Sequence, residues 1–189
     1  MARSHARVKT SIWHDDEFRD MSMPAQHLYF ALLTDPGLSY AGIADWRPKR
    51  LAGRAGAWTS QAVEVAGCEL LDSRFVIICE DTEEALVRSF LRHDGALQNA
   101  KLSVSAANAI GAIASNELRG IVINELQRLK RDFPEWAAWR ADSIKTALRR
   151  KAINAKEIDP FSPDFSPALG RIWAKPGDAF GLSQSQGLE

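Results

Sequence analysis

The stretch from Arg47 to Arg92 constrains the fold more than any other part of the chain. It reads RPKRLAGRAGAWTSQAVEVAGCELLDSRFVIICEDTEEALVRSFLR. Local signals divide it into a short basic helix, a glycine-containing turn, a second helix and two apolar strands joined by an acidic turn. Helix, turn, helix and hairpin in that order predict a winged helix-turn-helix, a DNA-reading module. The expected fold class is mainly α with a small β-hairpin: a winged helix-turn-helix followed by a C-terminal helical region.

Within the stretch, Arg47–Ala55 is the first helix of the unit. Pro48 near its start fits the position where a missing N–H costs nothing. Leu51, Ala52 and Ala55 make its apolar face, and Arg47, Lys49, Arg50 and Arg54 make the other. No acid occurs between Asp45 and Glu64, so this face is the first candidate for contact with phosphates. Gly56 is expected to use its freedom at positive φ in the turn. Thr59 is a suitable N-cap for the second helix, Ser60 to Leu71. Val63, Ala66 and Leu70 should face inward, leaving Ser60, Gln61, Glu64 and Gly67 or Cys68 outside. Residues at the start of such a helix reach base edges. Gln61 can pair with adenine, Thr59 and Ser60 with phosphate or base, and Glu64 can accept from cytosine while repelling phosphate.

FVIIC at 75–79 is a β-branched strand, and ALVRSFL at 85–91 is its return strand or a helix. Arg74, Arg88 and Arg92 accompany this hairpin as further phosphate contacts. Its turn carries Glu80, Asp81, Glu83 and Glu84, which DNA would repel. That acidic group and the balance of 24 basic and 24 acidic residues support a rival assignment. In it, the module binds a replication or host protein instead of nucleic acid.

The flanks are simpler. Residues 1–11 form a basic N-terminal arm with Arg3, His5, Arg7 and Lys9, either a minor-groove arm or a frayed terminus. Ser11–Met21 groups Asp15, Asp16 and Glu17 at a helix start. His14 beside them makes a poor metal set, because adjacent helical residues diverge. Ser22 caps, and Pro24 opens, a helix with Ala25, Leu28 and Leu32 on one face. Leu38–Trp46 suits a short strand that pairs with the hairpin. The DNA-binding domain therefore spans 12–95, and a helical region, a candidate for oligomerisation, spans 96–156. There Leu118, Ile121, Val122, Leu126, Leu129 and Phe133 recur at helical spacing. Ser115 caps that helix, and a further one is expected from Pro134 to about Ala152. Arg128 to Lys156 holds nine cations against three acids, either a second phosphate-binding surface or a solvated face. Trp136 and Trp139 suit a core or subunit contact. Four of the eight prolines lie in 157–189, which predicts a flexible tail, although Phe161, Phe165, Leu169, Ile172 and Trp173 are apolar enough to dock.

Ile12-Trp13 with Phe18, Ala25-Gln26 with Leu28-Tyr29 and Leu32-Leu33, Leu38-Ser39 with Gly42, Arg47-Pro48 with Leu51-Ala52, and the run from Leu86 to Gly95 form a pattern. Over roughly residues 8–130 it resembles helix-turn-helix DNA-binding proteins of actinobacterial phages and prophages. It is similar, more distantly, to the N-terminal winged-helix domains of phage replisome organisers and DnaD-like replication initiators. The resemblance implies a DNA-binding role in replication initiation or transcriptional regulation and carries over no catalytic residue.

No Walker loop, dinucleotide fingerprint, nucleophile elbow or zinc signature occurs, so no enzymatic activity, cofactor or metal is expected. Cys68 and Cys79 sit apart in apolar runs, which fits two buried thiols and a reducing compartment. No run approaches the roughly 20 apolar residues of a membrane span, and the N-terminus lacks an apolar core. The expectation is a cytoplasmic protein whose partners are double-stranded DNA and a second copy of itself, as a homodimer or higher oligomer.

Overall fold

Ser22 opens the first long helix, α2 (Met23–Leu33). Its hydroxyl accepts the Ala25 N–H at 3.3 Å, and Pro24 occupies the first turn. The computed structural model describes residues 5–162 and 165–173. Before α2 come a 3₁₀ turn at Thr10–His14 and the four-residue α1 (Asp16–Arg19), capped by Asp15, which accepts the Phe18 N–H at 3.2 Å. Phe18 is fully buried and meets Tyr29, Phe30 and Phe75 at ring distances of 5.4, 5.7 and 5.6 Å. This aromatic cluster fixes α1 against α2.

The next six elements are β1 (Ile43–Asp45), α3 (Pro48–Ala52), α4 (Ser60–Asp72), β2 (Val76–Cys79), β3 (Glu84–Val87) and the short α5 (Phe90–His93). The strands form one antiparallel sheet in the order β1-β3-β2, with Ile43 opposite Leu86 and Val76 opposite Val87. Gly42 has φ 83°, and a Cβ there would stand 2.8 Å from Phe90 Cβ, so this bend into β1 requires glycine. Both alternatives for 85–91 describe half of it: strand to Val87, helix from Phe90.

The remaining helices are α6 (Ala100–Ala112), α7 (Asn116–Asp132), α8 (Asp142–Leu148) and α9 (Pro167–Ile172). Ser115 caps α7 by accepting the Leu118 N–H at 3.1 Å, and the expected stripe from Leu118 to Leu129 is buried. The chain is thus mainly helical with one small sheet.

Three expectations need correction. The helix over 134–152 is interrupted: a 3₁₀ turn at Ala137–Arg140 precedes α8. Ahead of and within this turn, the rings of Phe133, Trp136 and Trp139 stack at 4.5 and 6.4 Å, each pair 6° from parallel. The Trp139 Nε1–H donates to the Phe133 carbonyl at 2.7 Å, which holds the turn.

Gly56 does not take positive φ. The described glycines that do are Gly42 and Gly95. The turn after α3 is instead built from three-residue backbone bonds, Gly53 N–H to Arg50 O and Trp58 N–H to Ala55 O among them.

The expected flexible tail is ordered through residue 173, where described, and docks on the body of the protein. Phe165 and Leu169 are buried, and α9 packs on α4. The Ser166 hydroxyl donates to Ile78 O at 2.7 Å, and the Glu80 carboxylate accepts the N–H groups of Ala168 and Leu169 at 2.7 and 3.3 Å. Residues 174–189 of that expectation lie outside the described residues, as do residues 1–4 of the N-terminal arm.

Candidate nucleic-acid interface

α3 and α4 pack together and present two surfaces, the basic side of α3 and the first turn of α4. Lys49 is exposed and has no ion pair among the described residues. Arg47 and Arg50 are exposed but paired: Arg47 Nε lies 2.9 Å from Glu83 Oε2, and Arg50 Nη1 lies 3.4 Å from Asp45 Oδ2. Exposed pairs of this kind contribute at most about 1 kcal/mol, so either guanidinium can exchange its carboxylate for a phosphate. Arg54 differs. Its Nη1–H donates to Ala31 O at 2.6 Å, its Nη2 pairs with Asp35, and its side chain is only 28% exposed. It ties the residues after α3 to the end of α2, a structural role that its place in a run of cations conceals.

On α4, the Thr59 hydroxyl accepts the Ala62 N–H at 3.1 Å. Thr59 and Gln61 are exposed, and Ser60 and Glu64 are half-buried. The outer face is narrower than the spacing implied. Gly67 is buried where a Cβ would meet Trp46, and Cys68 is buried under α9, its Sγ–H donating to Leu169 O at 3.5 Å. Burial pushes the Cys68 thiol up to about 12, with the Glu80 and Glu64 carboxylates adding to the shift. Between the first two turns of α4 and Asp72 at its end, the helix offers no exposed residue.

The acidic hairpin turn is used internally. Glu84 accepts the N–H groups of Ala114 and Ser115 at 2.8 and 2.9 Å, at the start of α7. Glu80 receives the start of α9, and Glu83, at φ 53°, holds Arg47. Asp81 is exposed. Carboxylates at helix starts meet unpaired N–H groups and the positive end of the dipole.

The hairpin also divides the candidate cations. Arg47 lies at its turn, while Arg74 and Arg88 lie at its open end, four ladder pairs and about 10–13 Å away. Arg74, Arg88 and Arg92 therefore do not join the α3 group. Arg74 takes φ 58° and donates from Nε to Ala155 O at 3.1 Å. Arg92 bridges Glu125 at 3.5 Å and Asp132 at 2.9 Å, with its guanidinium carbon 5.8 Å from the Phe133 ring centre. Arg128 reaches the other oxygen of Glu125 at 3.4 Å. Burial holds Arg88 below the usual guanidinium range; Glu125 opposes that shift, while Arg128 and Arg74 add to it.

Of the nine cations between Arg128 and Lys156, only Arg128 and Lys145 have ion pairs among the described residues. Lys130, Arg131, Arg140, Arg149, Arg150, Lys151 and Lys156 are exposed. Residues 148–155 form a strap across α7, pinned where Gln127 Nε2–H donates to Leu148 O at 3.3 Å and Ile153 N–H donates to Gly120 O at 3.0 Å. Local spacing carries no trace of these contacts.

A separate cavity of about 170 Å³ lies between the N-terminal segment and the exit of the hairpin. Arg7, Lys9, Tyr29, Ser89 and His93 are among its lining residues. Burial lowers the His93 pKa, and nearby Lys9 and Arg92 lower it further. No cluster of three His, Cys, Asp or Glu suited to a metal exists among the described residues, and no described helix is long and apolar enough to cross a membrane. No protein-family model, curated protein or solved structure matches the chain.

Proposed function

We propose that residues 12–95 are a winged helix that binds double-stranded DNA in a sequence-specific way. The observation that carries this is the first turn of α4, open to solvent beside the basic side of α3 and backed by a sheet of order β1-β3-β2. Helix, strand, helix, helix and hairpin in that sequence offer one short helix end to a major groove. Gln61 is the base-reading side chain, suited to adenine, with Ser60 and Glu64 beside it. Lys49, Arg47 and Arg50 contact phosphates and fix the register. The α6–α8 region joins two modules for paired half-sites, and the role is control of replication initiation or transcription in a cytoplasm.

Binding of a protein through the hairpin acids is disfavoured, because Glu80 and Glu84 are already engaged at helix starts within the chain. The deciding measurement is a salt titration of binding to mixed-sequence duplex. Affinity should fall by at least about tenfold between 50 and 200 mM salt. Absence of duplex binding at low salt would sink the proposal.

A further inference from the structure

Gln61, Glu64 and Cys68 are spaced i, i+3 and i+7 on α4, along one stripe of the helix, with Cys68 about 10 Å down the axis from Gln61. The stripe starts exposed at Gln61 and ends buried at Cys68. α9 is what covers Cys68: Leu169, itself fully buried, accepts the Cys68 Sγ–H on its carbonyl at 3.5 Å. The side of α4 that offers Gln61 is therefore covered two turns further on by a second helix.

That cover and a DNA groove exclude each other. A helix with its side chains is about 10–12 Å across, and the axes of packed helices run about 8–10 Å apart. A major groove about 12 Å wide takes one helix. α4 and α9 side by side do not fit it, so with α9 in place only the tip of α4 reaches base edges.

The cover is also attached so that it can move. Just ahead of α9, Phe165 O accepts the Glu80 N–H at 3.3 Å and the Ser166 hydroxyl donates to Ile78 O at 2.7 Å, which ties the chain to β2 and its end. α9 has six residues, and its first turn is capped from the hairpin, by the Glu80 carboxylate on the N–H groups of Ala168 and Leu169. A helix so short is not stable alone. At its far end the Trp173 indole N–H is buried with no hydrogen-bond partner among the described residues. That unpaired donor penalises the docked state and regains water when α9 lifts.

We infer that α9 is a hinged cover over the reading face of α4, closed in the free protein and lifted by duplex DNA, with Phe165 and Ser166 staying on β2 as the hinge. The inference rests on the duplex-binding reading above and adds its regulation. α9 and the groove compete for one stripe, so the stability of the docked cover sets the affinity for duplex.

Hydrogen exchange of the Ala168 and Leu169 amides in the full chain, with and without saturating mixed-sequence duplex, follows the cover directly. Exchange should speed up by at least about tenfold on binding. Leu169→Ala, which loosens the cover without changing charge, should bind the duplex about tenfold more tightly, because opening and binding are linked. Unchanged exchange on binding, or equal or weaker affinity in the folded variant, would overturn the cover and keep the DNA reading. No duplex binding by either protein at low salt would remove both. The exchange measurement uses the unaltered chain, so it decides the matter even where Leu169→Ala does not fold.

Discussion

Glu84 and Ser115 join the hairpin to the helical region: a carboxylate oxygen of Glu84 accepts the Ser115 N–H at 2.9 Å, and the other accepts that of Ala114 at 2.8 Å. These are charge-assisted bonds to donors that α7 cannot satisfy itself. Glu84→Ala should therefore cost about 1–3 kcal/mol, read from the denaturant midpoint at constant slope. A loss below about 0.5 kcal/mol would mean that water replaces the carboxylate without penalty.

Arg54 and Arg50 should separate stability from binding. Arg54→Ala removes a contact with Ala31 O and a poorly exposed pair with Asp35, and should destabilise by about 1–3 kcal/mol. Arg50→Ala breaks an exposed pair at 3.4 Å and should change stability by less than about 0.5 kcal/mol while weakening duplex binding. Equal unfolding curves for the two variants would contradict the assignment.

Cys68 should be inert to a thiol reagent at pH 8 in the folded protein and react on unfolding. Its thiol is raised from 9.0 to about 12, so folding favours the protonated form. That contribution is complete below about pH 9 and is lost as pH rises towards 12. Leu169→Ala, which thins the cover over Cys68, should speed labelling in the native state.

His93 acts at the other end of the pH scale. Its folded pKa is depressed below 6.5, chiefly by burial, so folding favours the neutral ring. The contribution is present above pH 6.5 and is lost as pH falls through the depressed value. His93→Gln should flatten the decline in melting temperature below pH 6.5. An unchanged decline would place the acid sensitivity elsewhere.

Local rules located most of the elements. Ser22, Thr59 and Ser115 each cap the helix that their spacing marks, and the stripe of α7 is buried where its period places it. β1 pairs with the hairpin as its short apolar pattern suggests. What local rules miss is long-range. Glu80 meets residues 88 and 89 positions away, and Glu84 meets residues 30 and 31 positions away, so two acids of a turn that looks free in sequence are engaged at distant helix starts. The cations of the candidate site follow the same logic. Composition marks Arg47, Lys49, Arg50 and Arg54 alike, yet their partners make one structural, two exchangeable and one open.

The docking of residues 165–166 on β2 bears on solubility. β2 ends the sheet, and all four of its side chains are buried. Glu80 N–H donates to Phe165 O at 3.3 Å, and Ser166 bonds Ile78 O, so the tail shields a strand that would otherwise offer its backbone to other chains. During synthesis that shield emerges after the strand it covers. A nascent or proteolysed chain ending before Phe165 carries a naked apolar edge, open to aggregation until that segment closes over it.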